Sequence, residues 1–220
     1  MAENHNRTAG GYYKQVPFVN EVFEQIYAAK VWGKGSGEGS DIAYCGRYAE
    51  VLVKIIQEFR VGSVLDLGCG DWQHGFSRHI NWAGVNYVGI DVVAAVVERN
   101  QQAFGIEHIR FQHGNILDCE LPGADLILIK DVIQHWSNAS VLRLLPKLKA
   151  FRLALVTNDL FSSHRRTLNQ DIPDADYRPI DVLAPPFNVP GMEVMLYSNA
   201  TYHPAEPVRW VKKMVLIKQS

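Results

Sequence analysis

The sequence predicts an α/β fold in which a mostly parallel sheet carries helices on both faces. From residue 63 onward, short apolar runs alternate with segments of helical periodicity, which is the pattern of parallel strands joined by crossover helices. The last two apolar runs are separated by only about ten residues, too few for a crossover helix, so they should pair antiparallel. Hydrophobic residues make up 47% of the 220 residues, which is enough for one domain with a substantial core.

Seven apolar runs are predicted to be strands, because each is short and lies between segments of different character. Five of them precede the closing antiparallel pair and should be parallel to one another. These five are "SVLDL" (63–67), "NYVGI" (86–90), "HIRF" (108–111), "LILI" (126–129) and "LALVT" (153–157), and the closing pair is "EVMLYS" (193–198) and "RWVKKMVLIK" (209–218).

Two helices are predicted before the sheet. Residues 18–30 and 41–60 both space apolar side chains at helical intervals, and Asp41 stands where an N-cap is expected. The stretch "WGKGSGEGS" (32–40) lies between them, and its glycine content predicts a mobile loop.

Two more helices are predicted between the strands, over residues 92–104 and 140–151. The second contains Pro146, which should bend it. A long polar connection, residues 169–190, precedes the sixth strand. Long loops in compact domains are usually functional, so this one should roof a substrate pocket, with Tyr177, Arg178 and Phe187 as its wall.

Composition narrows the class of protein. The net charge of −1 argues against a nucleic-acid partner, which usually requires a basic excess. The three cysteines form no CxxC pair and are odd in number, so we expect reduced thiols in a cytoplasmic protein. The N-terminus lacks the apolar segment of a signal peptide, and no apolar run reaches the ~20 residues of a membrane span. The oligomeric state is not indicated.

The first strand runs directly into a glycine pair in "VLDLGCGDW", residues 64–72. In such a sheet, ligands bind beyond the carboxyl ends of the strands. Gly68 and Gly70 lack a Cβ and therefore allow a tight turn and the close approach of a ligand. An ordinary turn between a strand and a helix would explain the same two glycines.

The next two strand ends favour a nucleoside ligand. Asp91 ends the second strand, where a carboxylate can accept both hydroxyls of a ribose; it could equally be the N-cap of the following helix. Asn115 follows the third strand and can bond an adenine amino edge. A dinucleotide-binding dehydrogenase is disfavoured, since its fingerprint needs a glycine where this chain has Gln73.

These motifs, "VLDLGCG", "YVGID", "HGNILD" and "LILIKDVIQHW", resemble the class I S-adenosylmethionine-dependent methyltransferases over residues 63–218. The resemblance implies a Rossmann-like seven-stranded methyltransferase sheet with an antiparallel last strand. It also implies S-adenosylmethionine (SAM) as cofactor. We divide the chain accordingly into an N-terminal helical lid or cap segment (1–60) and a methyltransferase domain (61–220).

The resemblance also implies which residues contact the cofactor. The methionine end would meet the glycine loop, the ribose would meet the acid of the second strand, and the adenine would meet the segment after the third strand. An arginine before the sheet would reach the cofactor carboxylate. The predicted contact residues are Asp66, Gly68, Gly70, Asp91, Val92, Asn115, Ile116, Lys130 and Arg47.

The fourth strand leads into the predicted catalytic residues. Asp131 and His135 are four residues apart and would share one face of a helix. His135 is then the candidate general base, and Asp131 would orient it or hold a polar group of the substrate. In the alternative, Asp131 caps the helix, and His135 packs beneath the lid or bonds a backbone carbonyl.

The same edge also carries oxygen atoms that could bind a metal ion. Asp131, Asn158 and Asp159 follow the fourth and fifth strands and could imitate the oxygen-rich magnesium site of catechol-type methyltransferases. Loop capping and hydrogen bonds to a substrate explain these residues equally well, and their order along the chain differs from that site. We therefore expect no metal.

Together these observations predict a SAM-dependent methyltransferase that acts on an oxygen or nitrogen atom of a small polar molecule. A protein or RNA methyltransferase is the first alternative. The second is a catalytically inactive cofactor-binding subunit of a larger assembly.

Overall fold

The computed structural model of the protein describes residues 19–164 and 166–219. Seven strands of the described residues form one sheet in the order β3-β2-β1-β4-β5-β7-β6. The first five strands are parallel to one another, and β7 is antiparallel to both β5 and β6. The predicted fold class is confirmed. The strands are β1 Ser63–Leu67, β2 Asn86–Asp91, β3 Ile109–His113, β4 Leu126–Lys130, β5 Leu153–Ser162, β6 Met192–Ser198 and β7 Trp210–Lys218.

Strand β5 is longer than its apolar sequence predicts. The prediction ended at Thr157, but the strand continues through the polar residues Asn158 and Asp159. These two residues pair with Lys213 and Lys212 of β7. The extension therefore comes from tertiary pairing, which places charged side chains inside the sheet.

Four α-helices accompany the sheet in the described residues. Asp41 accepts a hydrogen bond from the backbone N–H of Ala43 at 2.9 Å, which confirms it as the N-cap of the second helix. The helix predicted over 140–151 is α-helical at first and continues as a 3₁₀ helix over Leu145–Ala150, where Pro146 cannot donate a backbone hydrogen bond. The α-helices are α1 Val19–Ala28, α2 Ile42–Glu58, α3 Ala94–Phe104 and α4 Asn138–Leu144.

Residues 1–18 lie outside the described part of the chain, and so does the start of the first predicted helix. The lid assignment of residues 1–60 can be followed only from residue 19 onward. Within it, α2 packs on the sheet, since its residues Tyr48 and Leu52 are fully buried in the same cluster as Val64 of β1. Truncating such a leucine to alanine typically costs about 2–5 kcal/mol.

The opposite face of the sheet is covered by α4 and the long connection before β6. Leu65 and Leu67 of β1 pack there against Val141 and Leu144 of α4. Successive strand side chains point to opposite faces, and the parallel strands are therefore apolar on both sides. Among the described helices, none combines the length and hydropathy needed to cross a bilayer.

Candidate functional site

The two glycines after β1 both adopt left-handed backbone conformations, with φ of 73° at Gly68 and 61° at Gly70. A Cβ at Gly68 would collide with Val132, which follows β4, and a Cβ at Gly70 would collide with Ser36. The turn therefore needs glycine for its dihedral angles and for close packing. The backbone N–H of Gly68 donates to Ile90 O at 2.8 Å, which ties this glycine loop to β2.

Asp91 ends β2 directly beside the loop. Its Oδ2 accepts the backbone N–H of Gly70 at 2.9 Å, and its Oδ1 accepts that of Val93 at 3.0 Å. Val93, and not Asp91, is the N-cap of α3, so the capping alternative is wrong. Burial raises the pKa of Asp91, and the backbone N–H donors oppose the rise. Each carboxylate oxygen has a second lone pair and can still accept a ligand hydroxyl.

Asp66 lies inside the protein beneath the loop. Its Oδ2 accepts the hydroxyl of Tyr87 at 2.6 Å, and that hydroxyl accepts the indole N–H of Trp72 at 3.0 Å. Burial raises the pKa of Asp66 to about 6, although the bond from Tyr87 opposes the rise. The ring of Trp72 packs 4.9 Å from that of Tyr87.

The predicted adenine segment follows β3 at the same edge. The backbone N–H of Gly114 donates to Asp91 O at 3.0 Å, which brings Asn115 next to the end of β2. Asn115 Oδ1 accepts the backbone N–H of Leu117 at 3.0 Å, and Lys147 Nζ donates to Ile116 O at 3.1 Å. The fold therefore holds this segment in a fixed turn. Val92 lies beside it, since its carbonyl is 3.1 Å from His113 Nε2.

Arg47 is not where the sequence analysis expected it. It lies on α2, and its guanidinium bonds Glu50 at 3.0 Å, with side-chain exposures of 62% and 59%. Glu50 is the only partner of this guanidinium among the described residues, so the structure does not bring the Arg47 side chain to the glycine loop. The expectation was wrong because the amphipathic pattern of α2 places this position on the solvent side.

The segment after β4 is not the regular helix that was predicted. Asp131 has a left-handed φ of 59°, and a short 3₁₀ helix follows over Ile133–His135. The backbone N–H of Asp131 donates to Thr157 O at 2.8 Å. Asp131 and His135 therefore do not share a helical face, and no described hydrogen bond joins their side chains.

Asp131 belongs to a buried ion-pair cluster, which we define as Lys130, Asp131, Asp159 and Lys212. Lys130 Nζ bonds Asp131 Oδ2 at 2.6 Å, and Lys212 Nζ bonds Asp131 Oδ1 and Asp159 Oδ1, both at 2.7 Å. The side chains of both lysines are only 4% exposed. The Tyr177 hydroxyl donates to the remaining Asp159 oxygen at 2.8 Å. Lys130, predicted as a cofactor contact, thus has its ammonium engaged by Asp131.

The cluster shifts the pKa values of its members in opposite directions. Burial alone would lower the pKa of Lys212, but Asp131 and Asp159 raise it well above its usual value. Burial opposes the ionised form of Asp131, and the two lysines nevertheless lower its pKa. Lys212 is not among the site residues predicted from the sequence. Its only sequence signal is a lysine inside the apolar strand "RWVKKMVLIK".

The three residues considered for magnesium do not converge. Asn158 and Asp159 are consecutive in β5 and therefore point to opposite faces of the sheet. The Asp131 and Asp159 carboxylates are both bonded to Lys212. In the part of the chain that the structure describes, no group of three or more His, Cys, Asp or Glu side chains is arranged to hold a metal ion.

His135 lies at the other end of the same segment. Its Nδ1 is 3.0 Å from the carbonyl oxygen of Asp176, which can only accept a hydrogen bond. Nδ1 therefore carries the proton of the neutral ring, and the lone pair lies on Nε2. Burial lowers the pKa of His135, although the Asp176 carbonyl and nearby carboxylates oppose the shift. No described residue bonds Nε2.

Aromatic rings surround His135. The ring centroids of Trp32, Tyr177 and Phe23 lie 5.5, 5.8 and 6.4 Å from the imidazole. The structure contains both features of the alternative role of this histidine. His135 packs beneath the lid segment, and it bonds a backbone carbonyl. They fix the ring without occupying Nε2.

The long connection before β6 supports the site from behind. Arg178 is fully buried and donates to Ile133 O at 2.7 Å and Asn138 Oδ1 at 3.1 Å. Phe187 is buried in the core cluster that contains α4. Neither residue forms a pocket wall as predicted, because both hold the segment after β4 in place. Of the three predicted wall residues, Tyr177 alone lies beside His135.

The lid segment, which we define as residues 19–40, joins the glycine loop to His135. Ser36 Oγ accepts the backbone N–H of Asp71 at 2.8 Å and lies 2.7 Å from the Tyr27 hydroxyl. The Trp32 ring lies 5.6 Å from Tyr27 and also contacts His135. The glycine-rich stretch was expected to be a mobile loop, but here it is bonded to the glycine loop.

Comparison with known proteins agrees with this geometry. A family model described as an O-methyltransferase domain matches residues 44–156, slightly more than half of the chain. No curated protein matches the sequence.

Solved structures share the fold at low sequence identity. Human N-acetylserotonin methyltransferase, in complex with SAM, matches with a TM-score of 0.55 and 17% identity over 92% of this chain and 57% of that chain. The S-adenosylmethionine-dependent methyltransferase SibL matches with a TM-score of 0.55 and 17% identity over 80% of this chain and 55% of that chain. Magnesium protoporphyrin IX methyltransferase from Synechocystis PCC 6803 matches with a TM-score of 0.61 and 11% identity over 92% of this chain and 100% of that chain. The chain thus spans little more than half the length of the first two.

Proposed function

Since this chain belongs to the O-methyltransferase domain family, we propose that it is a SAM-dependent methyltransferase that methylates an oxygen atom of a small polar molecule. The observation that carries the proposal is the state of His135. Its Nδ1 faces the Asp176 carbonyl at 3.0 Å, so its Nε2 can accept a proton. This nitrogen lies in an aromatic enclosure that continues to the glycine loop through Trp32 and Tyr27.

The residues at the ends of β1, β2 and β3 fit the cofactor. Bound SAM supplies an electrophilic methyl group on its sulfonium. The left-handed glycines keep the loop free of side chains, and Asp91 retains acceptor capacity for the ribose hydroxyls. Asn115 and Ile116 form the fixed turn next to Asp91 and would hold the adenine.

His135 acts as the general base in this proposal. A hydroxyl is a weak nucleophile while it keeps its proton, and a positioned base that removes the proton in the transition state accelerates transfer. The lowered pKa of His135 keeps the imidazole neutral, and thus able to accept a proton, at neutral pH.

The aromatic rings of the lid segment contribute by excluding water. Trp32 and Phe23 cover the imidazole, which protects the reacting groups from hydration and side reactions. Orientation within such an enclosure is itself a large part of the acceleration of group transfer.

Asp131 has a supporting role in this proposal instead of orienting His135. Lys130 and Lys212 hold its carboxylate, and this fixes the left-handed turn after β4. The next residue, Val132, packs against Gly68. The ion-pair cluster therefore sets the distance between the glycine loop and the base.

An assay with isotope-labelled SAM tests the proposal. The purified protein is incubated with a panel of small hydroxylated compounds and a matched panel of amines, and the products are identified by mass spectrometry. We expect methyl ethers or esters from the hydroxylated panel. Methylamines alone would contradict the oxygen assignment. Binding of SAM without turnover of any acceptor, protein or RNA would favour the inactive cofactor-binding subunit.

A further inference from the structure

The connection from β1 to β2, residues 68–85, leaves an open groove on the protein surface. Parallel strands are usually joined by a crossover α-helix, but within this fully described connection the only helix is the 3₁₀ helix Phe76–His79. Trp72 and Trp82 of the connection pack instead on Tyr87 of β2, with ring centroids 4.9 and 4.7 Å away.

The groove is large enough for a small molecule and is separate from the site described above. Its volume is about 500 Å³, which lies in the range of small-molecule sites. Its described lining includes none of the residues predicted to contact the cofactor or to act in catalysis. A ligand in this groove would therefore be neither the cofactor nor the acceptor.

The floor of the groove is aromatic. Trp72, Trp82 and Phe104 line it, and the rings of Trp72 and Phe104 lie 5.9 Å apart. Both indole N–H groups are already bonded, that of Trp72 to the Tyr87 hydroxyl at 3.0 Å and that of Trp82 to Ser77 O at 2.9 Å. The rings can therefore offer a ligand only apolar contact, which favours a flat aromatic body.

The rim of the groove is cationic. Arg78 lines it, whereas no aspartate or glutamate does so among the described residues. Its Cζ lies 5.8 Å from the centroid of the Phe104 ring. Its Nη1 donates to Gln73 O at 3.1 Å, and no carboxylate pairs with it in the described part of the chain. The Nη2 and Nε donors are left for a ligand, and a guanidinium binds a carboxylate bidentately.

Trp72 connects the groove to the glycine loop by two routes. Its backbone N–H donates to Oδ1 of the fully buried Asn100 at 3.1 Å, and Asn100 Nδ2 donates to Gly70 O at 2.7 Å. Its indole N–H reaches Asp66, beneath the loop, through the hydroxyl of Tyr87. A ligand that packs on the Trp72 ring would favour the position that this ring has here, and with it the bonded form of the loop.

We propose that this groove binds a planar aromatic carboxylate and that its occupation strengthens cofactor binding through the indole N–H of Trp72. The ring of the ligand packs on the aromatic floor, and its carboxylate pairs with Arg78. The indole route carries the effect, because the ligand contacts the ring. The effect is reciprocal, so the cofactor strengthens binding of the carboxylate by the same factor.

Calorimetry with 2-naphthoate tests the class of ligand, with 2-naphthamide as the uncharged control. The wild type should bind 2-naphthoate about tenfold more tightly than 2-naphthamide, because a hydrogen bond to a charged group is worth at least that factor. Arg78→Met should abolish this preference. Arg110→Met is the matched control and should keep it, because Arg110 is exposed on β3 and does not line the groove.

Three results of this titration would overturn the proposal. They are no binding of 2-naphthoate, equal binding of the two probes by the wild type, and a preference that Arg78→Met leaves unchanged, which would place the probe elsewhere. The titration needs no cofactor, so its failure is distinguishable from failure of the proposed function.

A second titration measures the coupling. S-adenosylhomocysteine should bind the wild type about fivefold more tightly in saturating 2-naphthoate than in its absence, the lower end of typical couplings. Tyr87→Phe removes the hydroxyl between Trp72 and Asp66 and should reduce this gain while 2-naphthoate still binds.

An unchanged or weaker affinity of the wild type for S-adenosylhomocysteine would overturn the coupling, and so would a full gain in Tyr87→Phe. Sedimentation of the wild type supplies the last check. A dimer that 2-naphthoate dissociates would identify a second copy of the chain as the occupant of the groove, which would also overturn the proposal.

Discussion

At the ends of β1, β2 and β3, the polar groups of the site are held mainly by the backbone, whereas at the ends of β4, β5 and β7 they are held by other side chains. Asp91, in the first region, bonds two backbone N–H groups. Asp131, in the second, bonds two lysine ammonium groups. After the function proposed above, we call these regions the cofactor half and the acceptor half.

The difference predicts how each half responds to substitution. In the cofactor half, removing a carboxylate leaves neutral backbone N–H groups without an acceptor, which costs less stability than a buried charge without its partner. A change there should therefore act more on ligand binding than on stability. In the acceptor half, removing one charge leaves an opposite charge buried without its partner, which costs much more than the pair contributes. A substitution there should therefore also lower the free energy of unfolding.

The largest effect is expected at His135 in the acceptor half. His135→Ala should lower kcat by about 10²–10⁴-fold, which is the usual contribution of a general base. The affinity for SAM should change little, because the cofactor half is untouched. Steady-state kinetics and calorimetry on the same protein sample measure both quantities.

His135→Gln separates proton transfer from positioning. Glutamine retains hydrogen bonding but cannot take up the proton at neutral pH. Turnover near that of the wild type would show that His135 only positions the acceptor, and it would remove the observation on which the proposed function rests.

The next largest effect is expected at Lys212. Lys212→Met leaves Asp131 with Lys130 alone and Asp159 without a lysine partner, and loss of a buried partner typically costs about 3–5 kcal/mol of the free energy of unfolding. Urea denaturation followed by tryptophan fluorescence measures the change. The midpoint should fall clearly while the protein remains folded in dilute buffer.

Arg143→Met is the matched control, because the pair of Arg143 with Asp118 is about 60% exposed on both sides. Exposed pairs contribute about 0–1 kcal/mol. Equal losses for the two variants would mean that the buried cluster contributes no more than a surface pair, and the contrast between the two halves would be lost.

A smaller effect is expected in the cofactor half. Asp91→Ala should weaken SAM binding by about 2–4 kcal/mol, because a charged acceptor for two hydroxyls is removed from a buried position. Calorimetry measures the change, with Asp118→Ala as an exposed control. An unchanged dissociation constant for Asp91→Ala would disprove the ribose assignment.

The two halves also differ in how far the sequence predicts them. The glycine loop, Asp91 and Asn115 lie within short motifs whose geometry is local, and the structure places them side by side as expected. Lys212 reaches Asp131 only because β7 is inserted between β5 and β6. Pairing over such a sequence separation leaves no local pattern to find.

Two errors in the acceptor half have the same origin. The four-residue spacing of Asp131 and His135 predicts a shared helical face, but Asp131 has a left-handed φ, and it bonds the distant Lys212 and the backbone of Thr157. Arg178 resembles a polar loop residue in the sequence, yet it is fully buried because it satisfies backbone carbonyls such as that of Ile133. The bond from Lys212 to Asp131 and the bond from Arg178 to Ile133 O both span long stretches of sequence. Neither can be inferred from neighbouring residues.

The smallest expected effect is a shift in the pH dependence of kcat, which tests how strongly charges in each half act on His135. A histidine accepts a proton only while its imidazole is neutral, so the rate should fall as pH drops through the pKa of His135. Burial lowers that pKa, and the acid limb of the kcat profile should therefore lie below the ordinary value of about 6.5. Asp159 opposes this shift, so Asp159→Asn should move the limb further toward acid. Asp91→Asn, in the cofactor half, should leave the limb where it is. A limb that moves equally in both variants would show that His135 senses the net charge of the whole site instead of its own half.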